Sequence, residues 1–128
     1  LKLAYNAKLV VNSDFSEPGG YRAAQQLIQS GVKFSGLIAA NDQMAYGARL
    51  ALSRSGLRVP EDVSLVGFDD LPHSAYTLPP LTTVRQSIYE VGTQAAQAVL
   101  QLLSGVSSTM EQIPAELVVR ESTRRYRA

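Results

Sequence analysis

The chain contains no cysteine. Disulfides, thiolate nucleophiles and zinc–thiolate sites are thereby excluded, and the composition fits a reducing cytosol. It also lacks an excess of either charge: 12 Lys and Arg against 11 Asp and Glu leave a formal net charge of +1, too little to hold a polyanion by charge alone. No apolar run approaches the roughly 20 residues that a bilayer crossing needs, so no membrane partner is expected. Phosphate-cradling glycine motifs are missing too, because "EPGGY" (17–21) has the wrong spacing for a P-loop or a dinucleotide fingerprint. The opening "LKLAYNAKLVVNSDF" carries neither an initiator Met nor a signal-peptide pattern and reads like the interior of a longer protein. What remains is an ordinary globular composition, 45% hydrophobic over 128 residues, enough for one domain or a piece of a larger one.

Within that composition a rhythm repeats. A short apolar run ends in a polar cluster, and a helical pattern follows. The first unit is "KLVVNSDF" (8–15), a predicted strand, with a helix over about 17–30 in which Pro18 suits the first turn and Gly31 stops the pattern. The second is "GLIAAND" (36–42), with a helix over about 43–55 whose Ala45, Ala48 and Leu52 share one face and whose end is Gly56. A third strand, "VSLVGFDD" (63–70), is entered through the turn-like "RVPED". Alternation of this kind predicts an α/β fold with a parallel sheet and crossover helices. After Asp70 the rhythm breaks. Residues 71–80 hold Pro72, Pro79 and Pro80 and read as a loop. "LTTVRQ" (81–86) is β-rich, and a helix over about 87–104 carries Ile88, Val91, Ala95, Val99 and Leu102 as one apolar stripe. In "MEQIPAELVVRES", Pro114 predicts a strand on each side of itself, and the basic tail "RRYRA" is expected to fray.

In an open parallel sheet, ligands bind outside the carboxyl ends of the strands, where loops and helix N-termini converge. Here those ends carry Asn12, Asp14 and Phe15, then Asn41 and Asp42, then Asp69 and Asp70. An aromatic ring among amides and carboxylates suits a polyhydroxylated or heterocyclic small molecule. Each residue also has a plainer reading. Asn41 or Asp42 could simply cap a helix, Phe15 could be core, and Asp70 could be a loop or capping acid. Asp69 directly follows a buried strand and needs a partner. A catalytic or magnesium-binding use of the acid pair is disfavoured, since neighbours in an extended chain point to opposite faces. His73 stands alone as a loop residue. A receiver-type phosphoacceptor site would need an early acid pair and a late lysine, whereas the lysines are Lys2, Lys8 and Lys33.

The stretch "AANDQMAYGARLALSRSGLRVPEDVSLVGFDDLPHSAYTLPPLTTVRQ", followed by "ELVVREST", resembles the effector-binding core of the lactose-repressor family of bacterial transcription regulators, and the likeness runs from about "DFSEPGGY" to Thr123. The resemblance implies a periplasmic-binding-protein-like fold of two α/β subdomains joined by crossing strands, with a small molecule held in the cleft and operator DNA bound by a separate N-terminal helix-turn-helix domain. This chain would then be a truncated form. Residues 1–80 would belong to the second subdomain, 81–114 would be a crossover strand, helix and strand belonging to the first, and 115–128 a return strand and tail. The resemblance further implies that Asn41 and Asp69 hydrogen-bond the effector, that Phe15 walls the pocket, and that Gln86 lies near the cleft. It places Met44, Tyr46 and Tyr76 at a homodimer interface and makes the protein a cytoplasmic, non-enzymatic sensor of a sugar or nucleoside-like effector. No cofactor and no metal is implied. A periplasmic or surface sugar-binding protein of a transport system shares the fold, and an upstream signal peptide in place of a helix-turn-helix would mark it. With almost none of the first subdomain in the chain, the 87–104 stripe loses its family partner and is expected to pack by another route, against a second copy or a neighbouring molecule.

Overall fold

The structure, a computed structural model, describes residues 5–109 and 111–125. Its best-packed part is the pair α1 (Glu17–Gln29) and α2 (Asp42–Arg54). Ser16 caps α1 by accepting a hydrogen bond from the Gly19 N–H at 3.0 Å, Pro18 occupies the first turn, and Gly31 leaves the helix at φ 72°. Asn41 caps α2 in the same way, its Oδ1 accepting from the Met44 N–H at 2.8 Å. The two helices approach so closely that a methyl group on Gly20 would run into the Met44 backbone and one on Gly47 into the Glu17 carbonyl. Ala24, Met44, Ala45, Ala48 and Ala51 pack there against Ala39, Leu65 and Leu81 to form the core.

Beneath the helices, β1 (Gly36–Ile38) pairs in parallel with β2 (Ser64–Val66), Leu37 opposite Leu65. The pairing continues past the strands as single bonds, Ala39 N–H to Val66 O at 2.9 Å and Asp42 N–H to Phe68 O at 2.8 Å. On its other side β2 is extended by Gly67 N–H to Thr82 O at 3.0 Å and Asp69 N–H to Val84 O at 2.8 Å. There β3 (Thr83–Arg85) begins, and it pairs antiparallel with β4 (Glu116–Val118). The returning chain ties the two sheets together through buried Ser122, whose Oγ donates to Leu65 O at 2.6 Å while accepting from Thr82 N–H at 2.7 Å. Helix α3 (Ile88–Leu103) lies between β3 and β4 in the chain.

Several expectations need correction. Residues 8–15 form no strand; a 3₁₀ turn at Ala7–Leu9 leads into irregular chain. A strand exists only by pairing its N–H and C=O groups, and a groove of about 360 Å³ lies between Leu9, Val10 and Val11 on one side and Leu37, Ile38 and Ala39 on the other. The loop at 71–80 contains a 3₁₀ helix, Pro72–Tyr76. Only one strand adjoins Pro114, since residues 111–115 are irregular; Met110 lies outside the described residues. The start of the basic tail is anchored rather than frayed, with Arg124 Nε donating to Pro60 O at 3.0 Å and its N–H to Ser64 Oγ at 3.2 Å; residues 126–128 lie outside the described residues. Finally, α3 finds no cover within the chain itself. None of its residues is buried, and Ile88, Val91, Ala95, Val99 and Leu102 are all exposed, because no other described segment of the chain reaches that stripe.

Candidate functional site

Backbone strain is concentrated just before α1 and just after β2. Among the described residues the non-glycine positions with positive φ are Phe15 at 60°, Asp69 at 109° and Asp70 at 52°. Such conformations cost on the order of 1–3 kcal/mol each and persist only where the surroundings impose them. Asn41 joins the first of these positions to the start of α2, since its Nδ2 donates to the Phe15 carbonyl at 2.9 Å while its Oδ1 serves as the α2 cap. The bond from Asp42 N–H to Phe68 O sets Asn41 and Asp69 on either side of one backbone contact. Phe15, Asn41 and Asp69 therefore occupy one edge, with Phe15 62% exposed. Asp69 pairs with Arg85 of β3, so exposed Gln86 comes one residue beyond it.

The two neighbouring acids have opposite electrostatics. Partial burial, and secondarily the negative charge of Asp42, push the Asp69 carboxyl above the ordinary carboxylate range. No hydrogen bond from another described residue offsets this. Burial also pushes Asp70 upward, but hydrogen bonds from Arg120 (2.6 Å) and Arg85 (2.7 Å) outweigh it and hold Asp70 below its usual value. Asp70 thus ties β3 to the segment after β4 rather than bracing the loop. Its side chain is only 8% exposed, and both of its oxygens are engaged. Asp69 is left as an acceptor with nothing to accept from, and Arg85 and Arg120 are both committed to Asp70. That combination favours a neutral donor-rich ligand over an anion.

The residues expected at a dimer interface separate. Met44 is 9% exposed and sits in the chain's own core. Tyr46 is half-buried, its hydroxyl 2.7 Å from Ser74 Oγ and its ring edge-on to His73 at 5.2 Å between centroids. Tyr76 is 83% exposed. Sequence reasoning missed Arg120, which only the fold brings to Asp70, and treated Asp42 as a rival cap to Asn41. Asp42 is instead fully buried. The one visible signal was Gly67 before "FDD": a methyl there would collide with Asp42 Oδ1.

Residues 1–123 match the family described as "Periplasmic binding protein-like domain". The chain belongs to that family. Its relatives within the family are regulators of the lactose-repressor type. The Lactose operon repressor of Escherichia coli (strain K12) is 39% identical over 86% of this chain and 31% of its own length. The fold matches a sugar-binding transcriptional regulator of the LacI family from Escherichia coli, complexed with phosphate, at TM-score 0.86 and 35% identity, over 94% of this chain and 44% of that one. It matches the transcriptional regulator CelR in its cellobiose complex at TM-score 0.86 and 33% identity, over 94% and 37% respectively. The chain thus spans about a third of the length of the curated relatives it matches. Among the described residues no helix is long and apolar enough to cross a membrane, and no cluster of His, Asp and Glu is placed to hold a metal ion.

Proposed function

We propose that the chain supplies one wall of an effector cleft in a lactose-repressor-type transcription regulator, binding a small uncharged polyol, a sugar or a nucleoside. The unpartnered Asp69 carboxylate beside Asn41 carries this reading. A partly desolvated carboxylate with no protein donor gains when a ligand supplies one, and a hydroxyl-bearing molecule does so without bringing a repelling charge. Asn41 retains one N–H and one lone pair beyond its cap and its bond to Phe15, the Phe15 ring covers an apolar ligand face, and Gln86 reaches the site from the crossover. Residues 1–80 belong to the second subdomain, 81–114 cross into the first, and 115–128 return. The uncovered stripe of α3 supports that division, because it awaits the other subdomain. Exposed Tyr76, with Tyr46 beneath the same loop, faces a second subunit, while Met44 supports that helix from inside. Effector occupancy biases the relative placement of the subdomains, and a helix-turn-helix domain elsewhere in the protein converts that bias into a change of operator affinity in the cytoplasm. A thermal-shift screen of sugars and nucleosides on the intact protein identifies the effector. Isothermal titration with the stabilising compound then tests the site: Asp69→Ala weakens binding by about 1.5–3 kcal/mol, the scale of a hydrogen bond to a charged group, and leaves operator binding in place. Unchanged effector affinity would remove Asp69 from the site.

A further inference from the structure

Asp42 touches none of the surface assigned to the effector, yet its carboxylate is where the surrounding segments meet. It is 0% exposed. Oδ2 accepts from the Leu71 N–H at 2.8 Å and from Ser74 Oγ at 2.6 Å, and Oδ1 accepts from Thr83 Oγ1 at 2.5 Å. The Ser74 proton is committed to Asp42, so the Tyr46 hydroxyl 2.7 Å away is the donor in its bond to Ser74. Thr83 Oγ1 in turn accepts from the Asp70 N–H at 3.4 Å. Through its main chain Asp42 holds Phe68, and the two residues read as effector contacts flank that junction, Asn41 before Asp42 and Asp69 after Phe68. Gly67 leaves the space that the carboxylate occupies. One residue, through its side chain and its main chain together, therefore joins the start of α2, the segment after β2, the 71–77 loop that carries Tyr76, and β3.

We infer that Asp42 is a positioning residue: its buried carboxylate sets the Asn41–Asp69 rim and the Tyr76-bearing loop in register with each other and with the crossover strand. An acid suits this place because its two oxygens can receive all the converging donors. Alanine would leave these donors unpaired. Asparagine would keep the register, since its carbonyl can replace Oδ2 and its NH₂ can donate to Thr83 Oγ1 once that hydroxyl rotates. The charged groups facing Asp69 are Asp42, neighbouring Asp70 and its strand partner Arg85. Arg85 is paired to Asp70, which leaves Asp42 as the charge that acts on Asp69. The inference rests on the reading of Asn41 and Asp69 as effector contacts, and amide exchange, which needs no effector, separates its failure from a failure of that reading.

Hydrogen exchange followed by NMR in the intact protein tests it. In Asp42→Ala the amides of Leu71, Ser74 and Asp69 exchange about tenfold to a hundredfold faster, while Ala48 and Ala51 within α2 keep their protection. Asp42→Asn returns the Leu71, Ser74 and Asp69 amides toward wild-type rates, and in both variants the Asp69 carboxyl titrates at lower pH because the like charge is gone. Acceleration at Leu71 without Asp69, uniform acceleration of all amides, or no recovery in Asp42→Asn would overturn the inference. Should Asp42→Ala not fold, Ser74→Ala removes a single donor. It gives a smaller acceleration at the same amides, and its absence there would count equally against the inference.

Discussion

Asp69 and Asp70 are adjacent acids that the fold treats in opposite ways, and each sign has a measurable consequence. The raised value of Asp69 arises from burial and then from Asp42. A carboxyl whose folded value exceeds its unfolded one contributes stability below the unfolded range and loses that contribution as pH rises through the folded value. Effector binding runs the other way, because the ionised form is the better acceptor. The affinity of the intact protein should fall as pH is lowered through the raised Asp69 range, read by calorimetric titration at stepped pH; a flat profile there would speak against Asp69 as an acceptor. Asp70, held low by Arg120 and Arg85, contributes stability above the ordinary carboxylate value and loses it as pH falls through its depressed one. Asp70→Asn should therefore lower stability at neutral pH by about 1–3 kcal/mol and flatten the acid limb of a melting-temperature series. Equal acid sensitivity in both proteins would show that the arginine pairs contribute nothing.

At the scale of elements, the helices were legible because their signals are local. Pro18 and Gly31 bound α1, Asn41 and Gly56 bound α2, and the apolar stripe traced α3. The cores of β1 and β2 were legible for the same reason, as short apolar runs ended by polar residues. Residues 8–15 have a strand's composition but no strand, since pairing is a property of neighbours and none reaches them. The Asn41–Asp69 edge could be read from strand-end positions, whereas Arg120 and Ser74 could not, because they arrive from 50 residues and 32 residues away in sequence from Asp70 and Asp42. The closeness of α1 and α2 gives a sharp test. Gly47→Ala places a methyl against the Glu17 carbonyl, and overpacking of this kind costs about 1–3 kcal/mol. The denaturant midpoint should fall with little change in slope; an unchanged midpoint would mean that the helices separate freely.

In the proposed function the molecule as a whole supplies one wall of a cleft. It has a packed α1–α2 core and a braced crossover, together with a helix whose apolar stripe finds no cover among the described residues. Burying such side chains is worth about 1.5–3 kcal/mol each, so the isolated 128-residue chain should bind a hydrophobic dye more strongly, per molecule, than the intact protein does. Equal fluorescence enhancement would mean that α3 is not covered in the whole. With a net charge of +1 and no recognisable DNA-reading element among the described residues, the isolated chain should leave operator DNA unshifted in an electrophoretic assay at moderate salt, whereas a longer protein carrying the proposed helix-turn-helix domain should shift it. The central question is whether Phe15, Asn41 and Asp69 serve one ligand. A crystal structure of the intact protein with the best-stabilising sugar or nucleoside decides this directly. The expected result has the Asp69 carboxylate and the Asn41 amide hydrogen-bonded to the same molecule with the Phe15 ring against its face; a ligand seated in the groove between residues 9–11 and β1, away from Asp69, would contradict it.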